Sequence, residues 1–401
     1  MRTKNNMRHL LMAASVGVAL QGFTQASILG HGGGPSYFLG WNASAQQALE
    51  VRHDGSWPID TNLATWVSTL SLNALGDLFT DWARAAGPFA GEGPPPGERR
   101  SAVLQLTRWL LSQQYRQVHP YTGAAPGGWA WTDLPGGVPD ADDTSGAVLA
   151  LAFLGEQLAE QAVEGEDPDA AALDAELGQA RQAGATWLLG LQNRDGGFPT
   201  FCRGWGALPF DRSSPDITAH ALRALRLTLG RAEPALQRAE RYLERSQEPD
   251  GSWIPLWFGN QHAAGEVNKV YGTSRVVRGL GEGTVRDRGL AWLRAAQNPD
   301  GSWGGTGGPG SIEETALAVE ALAGVAPCRG VEAEAYRPAI ERGAAFLVGA
   351  VEDGSWEQPA PIGFYFARLW YFERLYPKLY CVGALRQAFA WRARAGAGVK
   401  E

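Results

Sequence analysis

The chain has 401 residues, 44% of them hydrophobic and 19% charged, with a formal net charge of −7. The charged share is below the roughly 25% of ordinary soluble domains, and no Lys/Arg block stands out, which argues against nucleic acid as a partner. Cys202, Cys328 and Cys381 are far apart and odd in number. They form no CxxC pair and no disulfide framework, so neither a zinc ribbon nor a stapled secreted fold is indicated.

The chain opens on a basic stretch, an apolar run over residues 10–20 and then Gln25-Ala26-Ser27. Residues 1–27 read either as a signal peptide with a small-residue cleavage site or as an irregular start. The apolar run is too short to span a bilayer, and no later run reaches about 18 residues. A glycine-rich patch over 30–34 opens a linker (28–45), and residues 46–395 form the main domain, with a short tail over 396–401.

A short signature then recurs: Asp54-Gly55-Ser56-Trp57, Asp195-Gly196-Gly197-Phe198, Asp250-Gly251-Ser252-Trp253, Asp300-Gly301-Ser302-Trp303 and Asp353-Gly354-Ser355-Trp356. The last four lie 55, 50 and 53 residues apart, and Gln192, Gln247 and Gln297 each stand three residues before the Asp. A period near 50 marks repeats of one supersecondary unit. The signature residues read as structural: a turn, a helix stop and a stacking aromatic.

Between the signatures the periodicity is helical. Amphipathic helices are predicted over 102–112, 183–191, 236–246, 286–296, 340–348 and 379–392. More uniformly apolar ones, which must be buried, are predicted over 61–75, 144–155, 216–229, 271–280, 312–323 and 364–376. The two sets alternate. Six hairpins with apolar helices inside and amphipathic ones outside predict an all-α fold, a closed α/α6 barrel. An open helical solenoid is the alternative.

The stretch Pro139-Asp140-Ala141-Asp142-Asp143-Thr144 puts three carboxylates into four positions, directly before the apolar run 147–154. Like charges that close cannot all ionise cheaply, so at least one pKa should be raised. The plain alternative is a helix N-cap, because acids favour a helix N-terminus. The 12-residue calcium loop with its closing Glu is absent, as is a DDxxD motif, and no metal or cofactor is expected.

Five segments in this order identify a family. Gly127-Gly128-Trp129-Ala130-Trp131 followed by Pro139 to Thr144 resembles the DxDD region of squalene–hopene cyclases, and the Gln…Asp-Gly-Ser-Trp units resemble their QW repeats. Ser214-Pro215-Asp216-Ile217-Thr218-Ala219-His220 resembles the segment that supports the acid. Trp257 and Tyr271-Gly272-Thr273 resemble further active-site positions, and Gly363-Phe364-Tyr365 onward resembles the aromatic C-terminal segment. The resemblance covers roughly residues 45–395 and implies a class II terpene cyclase, which protonates an alkene of squalene to start cyclisation to a hopanoid-type polycycle.

On that resemblance Asp142 is the proton donor, flanked by Asp140 and Asp143. His220, oriented by Asp216, hydrogen-bonds the donor as an imidazolium that eases release of the proton, and Tyr271 helps to reprotonate it through water. Trp129, Trp131, Trp257, Phe364 and Tyr365 line the substrate and stabilise cations. The family pairs two barrels around the cavity, and this chain carries only the acid-bearing one. A separately encoded second barrel or a second copy of the chain would complete it, or the chain is a non-catalytic remnant. A shorter prenyl diphosphate is the other substrate class that uses DxDD. A substrate this apolar implies monotopic attachment to a membrane surface.

Overall fold

The computed structural model describes residues 63–76, 78–80, 96–160, 168–201, 211–230, 233–260, 262–305, 308–327, 330–358, 362–364, 369–371 and 375–396. The N-terminal segment, the first signature with Trp57, and Cys202 and Cys328 lie outside the described residues.

Six helices form an inner ring: α1 (Ala64–Leu75), α3 (Ala141–Glu160), α5 (Pro215–Leu229), α7 (Lys269–Gly279), α9 (Ile312–Val325) and α11 (Tyr376–Gly396). Each packs on the next, and α11 packs back on α1, so the ring closes. The outer helices are α2 (Pro96–Ser112), α4 (Pro168–Leu191), α6 (Pro234–Arg245), α8 (Thr284–Ala295) and α10 (Gly330–Asp353), each packed against its inner neighbours. The fold is thus all-α and closed, as the alternating helix pattern predicts, and the open solenoid is excluded.

Small residues let the inner helices approach. Ala219, Ala221 and Ala224 of α5 and Ala316, Ala318 and Ala321 of α9 are all sealed from solvent. A Cβ on Gly279 of α7 would come within 2.7 Å of the Ala219 carbonyl oxygen, so only glycine permits this crossing. Ring closure is fixed by polar groups as well. Trp66 Nε1 of α1 donates to the Tyr376 hydroxyl of α11 at 2.7 Å, and Arg386 Nε donates to the Ala74 carbonyl at 3.0 Å.

The expected sixth hairpin is corrected. Of the inner helix predicted over 364–376, the described residues Phe364 and Leu369–Tyr371 lie in strands instead. Ile362–Phe364 (β2) pairs antiparallel with Leu369–Tyr371 (β3), and β2 also pairs with Phe258–Gly259 (β1). Aromatic and β-branched residues favour a pleated edge over a helix. The sixth inner helix is α11, whose residues 379–392 were expected in the amphipathic outer set; Arg386 donates to the C-terminal end of α1.

The repeats clamp the outer helices. Gln192 Nε2 donates to the carbonyls of Gly196 and of Ala235 at the start of α6, both at 2.9 Å. Gln247 does the same to Gly251 and Val285, and Gln297 to Gly301 and Ala339. Each glutamine therefore closes its own turn and holds the next outer helix. The turn needs glycine: Gly196, Gly251 and Gly301 have φ of 92°, 95° and 93°. The indoles of Trp253 and Trp303 donate to Leu243 and Leu293, at the ends of the preceding outer helices, both at 2.8 Å. Their backbone N–H groups donate to Thr273 and Thr315, in the following inner helices.

Candidate active site

The acid motif opens α3, and its three carboxylates divide the work. Asp140 is the N-cap: its Oδ1 accepts the backbone N–H of Asp143 at 2.8 Å. Its own backbone is pinned by bridges to Trp129 and Phe201. Asp143 is buried beside Asp140, and its Oδ1 has no hydrogen-bond partner among the described residues. Asp142 is left to point into the ring, where its Oδ1 meets His220 Nδ1 at 2.5 Å. The cap reading is therefore realised by Asp140, while Asp142 is the acid that meets His220.

Inner-helix neighbours supply the partner. α3 packs on α5, which carries His220 in its second turn. Gly146, one turn beyond Asp142, lets α1 approach closely, since a Cβ there would lie 3.0 Å from Thr69 Oγ1, and it would sit in ordinary contact with His220 Cε1 at 3.7 Å. The Asp142 and His220 side chains remain 15% and 14% exposed, whereas Asp140, Asp143 and Asp216 are only 3%, 4% and 3% exposed.

Burial dominates the electrostatics. It pushes Asp140 up from 3.8 to about 7, with Asp142's charge adding to the rise. Asp143 is driven well above the carboxylate range by burial and by the charge of Asp140. Together these two hold at least one proton at neutral pH. Asp216 is raised to about 6 by burial, against a hydrogen bond from the Ser214 hydroxyl. Burial also lowers the His220 pKa, outweighing the nearby Asp142, with Arg223 and Arg275 adding to the fall.

Two expectations change here. Asp216 does not orient His220, because its Oδ1 is taken by Ser214, whose Oγ also accepts the Leu256 N–H at 3.0 Å. The group beside the acid is also shifted towards neutral imidazole rather than imidazolium.

The expected aromatic residues separate into two sets. Trp129 is fully buried, its indole donates to Leu110 at 2.9 Å and its N–H donates to Thr144 at 3.0 Å. Those are the bonds made by Trp253 and Trp303. Gln114 completes the unit by donating to Gly127 and Ala180. Trp129 is thus the aromatic of a repeat without the Asp-Gly-Ser spelling, and it leaves the substrate-lining set. Trp131 and Trp257 instead flank Phe201, with ring centroids 6.3 and 5.8 Å away, edge to face.

Tyr271 is buried at the start of α7, its N–H capped by Asn268 at 2.9 Å and its ring 4.7 Å from that of Phe258. Burial raises its hydroxyl pKa further. Phe364 enters through its backbone, as the β2 partner of Phe258 and Leu369, and Tyr365 lies outside the described residues.

Sequence reasoning missed Phe201 and Phe258. A signal exists: Trp131, Phe201 and Trp257 follow the repeat aromatics Trp129, Phe198 and Trp253 by two, three and four residues. Each lies in the segment leading from an outer to an inner helix, on the side where Asp142 sits.

No helix among the described residues is long and apolar enough to cross a membrane. No group of three His, Cys, Asp or Glu residues among them is arranged to hold a metal ion.

The family model for the squalene–hopene cyclase C-terminal domain matches residues 95–389. The chain is 27% identical over 377 residues to enfumafungin synthase of Hormonema carpetanum, covering 81% of this chain and 24% of that one. Over 171 residues it is 37% identical to drimenyl diphosphate synthase of Streptomyces showdoensis, covering 40% of this chain and 29% of that one. It thus spans less than a third of either relative. Among solved structures, a type II terpene cyclase from Scytonema in complex with geranylgeranyl dihydroxybenzoate shares the fold. Its TM-score is 0.56 at 16% identity, with 96% of this chain and 99% of that one covered. The chain belongs to the squalene–hopene cyclase C-terminal domain family and is a member of the class II terpene cyclases.

Proposed function

We propose that the protein cyclises an acyclic polyprene by protonating its terminal alkene, with Asp142 as the acid. The observation that carries this reading is the Asp142–His220 contact, set inside a closed helical ring beside two deeply buried carboxyls. In the neutral imidazole, Nδ1–H donates to Asp142 Oδ1, so Oδ2 is the oxygen that carries the transferable proton. That proton adds to the alkene, the alkene's electron pair forms the new C–H bond, and a tertiary cation remains. His220 keeps its hydrogen bond to the carboxylate left behind.

Asp140 and Asp143 retain their own proton and hold the start of α3. Trp131, Phe201 and Trp257 offer aromatic faces that stabilise the cation without attacking it, each by on the order of 0.5–2 kcal/mol. Tyr271 is the group suited to passing a proton back to Asp142 through water.

The family match favours squalene as substrate, giving a hopanoid-type polycycle. The second reading is a shorter prenyl chain. It is favoured by the 37% identity with the drimenyl diphosphate synthase and by the fold shared with the Scytonema enzyme, whose substrate is a geranylgeranyl compound. Either substrate is apolar enough to be drawn from a membrane surface, so peripheral attachment accompanies both readings.

The test is D142N, assayed beside the wild type with squalene and with geranylgeranyl diphosphate. The wild type should convert one of them and D142N neither. Cyclisation retained in D142N would remove Asp142 from the role of acid.

A further inference from the structure

Two arginines of the inner ring, Arg223 on α5 and Arg275 on α7, have no task in the reading above. Their directions follow from the helix period of about 100° per residue. On α5, Ala219 and Arg226 face α7. A Cβ on Gly279 would come within 2.7 Å of the Ala219 carbonyl oxygen, and Arg226 Nη1 donates to the Gly279 carbonyl at 2.8 Å. His220 faces Asp142 on α3. Thr218, on the opposite face, takes the Phe198 N–H from the turn after α4. Arg223 lies between the α7 and α3 directions, away from Thr218, and so points into the lumen of the ring. On α7, Gly279 faces α5, and Arg278 faces α9, where it bonds Glu320 at 2.6 Å. Arg275 lies between them in the same way. Its Nη2 donates at 3.2 Å to Tyr380 on α11, which is separated from α7 by α9, so the side chain reaches across the lumen.

Burial fits that placement. Leu222 and Ala224 beside Arg223, and Ser274 and Val276 beside Arg275, are sealed from solvent. The two arginines keep partial exposure, as Asp142 and His220 do, so they face a space inside the ring. Gly279 also ties them together. Arg223 sits midway between the two residues that bracket Gly279, and Arg275 is one turn from Gly279 on α7. Two long side chains therefore share one stretch of lumen.

The protein leaves both guanidiniums short of partners. Arg223 makes no hydrogen bond or ion pair with any described residue. Arg275 uses one of its N–H groups on Tyr380 and is otherwise flanked by the Tyr271 and Tyr380 rings, at 5.2 and 5.3 Å. No unused nitrogen of either is closed off from the lumen. The carboxylates on this wall are taken, Glu320 by Arg278 and Asp142 by His220. Burial, and then the charge of Arg278, lower the Arg223 pKa to about 9, which leaves it charged at neutral pH. An interior cation without a partner is unfavourable unless a ligand supplies one.

We propose that Arg223 and Arg275 form an oxyanion subsite inside the ring that takes a diphosphate, either the head group of a prenyl diphosphate or the free inorganic ion. The first source rests on the reading of the protein as a polyprene cyclase, and the second on the geometry alone. A guanidinium presents paired N–H groups that match two phosphate oxygens at once. Two of them on adjacent helices suit an anion with two phosphoryl groups. A pure hydrocarbon offers neither an acceptor. On α3, Leu149 and Phe153 share the Asp142 face and are apolar and partly exposed, so chain and head group meet different walls.

The test is calorimetric titration of the full chain with inorganic diphosphate in metal-free buffer. The wild type should bind it saturably and melt at higher temperature as the ion is added. R223Q and R275Q should each bind it about 10–100-fold more weakly, while R223K, which keeps the charge, stays within about tenfold of the wild type. An arginine needed only for packing would lower the melting temperature of R223Q and leave no diphosphate-dependent gain to lose. If R275Q does not fold, R223Q and R223K carry the comparison.

The two sources are separated by titrating geranylgeranyl diphosphate and geranylgeraniol into D142N and D142N/R223Q, where no turnover intervenes. A head-group site weakens the diphosphate ester, and not the alcohol, in the double variant. A free-anion site weakens inorganic diphosphate and neither prenyl compound. Absence of saturable binding of inorganic diphosphate to the wild type, or an affinity unchanged in both R223Q and R275Q, overturns the subsite. Cyclisation that persists in D142N overturns the reading of Asp142 instead, so the two failures are distinguishable.

Discussion

Asp140→Asn offers a quantitative check on the buried carboxyls. Asparagine caps a helix as well as aspartate does, so the change keeps the bond to the Asp143 N–H and removes only the charge. Asp140 is 3% exposed, and its pKa rises from 3.8 to about 7. Below about pH 4 folded and unfolded chains both carry the proton. Between about 4 and about 7 the folded chain keeps a proton that the unfolded chain has released, so stability falls as pH rises and levels off above about 7. The rise is worth about 4 kcal/mol for Asp140 alone. Asp216, raised to about 6, adds to the fall in the same sense. D140N should flatten the curve by a few kcal/mol and be the more stable protein at pH 8. Urea unfolding of both proteins from pH 4.5 to 8.5 reads this directly. Parallel curves across that window would refute the assignment of a proton to the Asp140–Asp143 pair.

Other outcomes follow from the same geometry. Q192A leaves the Gly196 and Ala235 carbonyls without their shared donor and frees Arg238, which bonds Gln192 Oε1 at 2.6 Å. It should cost about 1–3 kcal/mol in chemical denaturation with little effect on turnover per folded molecule. F201A removes the ring between Trp131 and Trp257. It should lower turnover by about 2–30-fold and raise the share of incompletely cyclised products by gas chromatography, while changing stability less than Q192A does. W129F keeps the buried ring but loses the bond to Leu110. It should behave as a repeat mutant, with a lower melting temperature and an unchanged product profile, and a changed product profile would return Trp129 to the cavity wall.

Much of the fold was legible because its information is periodic. Alternating apolar and amphipathic helices, a repeat near 50 residues and a recurring Gln…Asp-Gly turn specify inner and outer rings. The failures lie where local spelling and tertiary role diverge. Gln114 and Gly127 build a full repeat, but the residues between them, with Val118 and Tyr121 exposed, replace the Asp-Gly turn. Trp129 therefore read as part of the acid motif rather than as a clamp. α11 carries arginines suited to an outer helix, and only the open end of α1 explains why one of them faces inward. The aromatic run from Phe364 satisfies helical and strand patterns alike, and pairing with Phe258, about a hundred residues earlier, decides between them.

At the site, Asp142 and His220 were legible as motifs 78 residues apart, and adjacent inner helices bring them to 2.5 Å. The division of labour within the motif was not, since which of three neighbouring acids caps the helix depends on where the Asp143 N–H points.

The central claim is that the reaction starts with a proton delivered by Asp142. It is tested most directly by running the cyclisation in D2O and locating deuterium in the product by mass spectrometry and NMR. The account predicts one deuterium in the product, on the carbon of the terminal alkene that receives the proton, and no cyclised product from D142N. A cyclised product without that deuterium, or one formed equally by D142N, would contradict it.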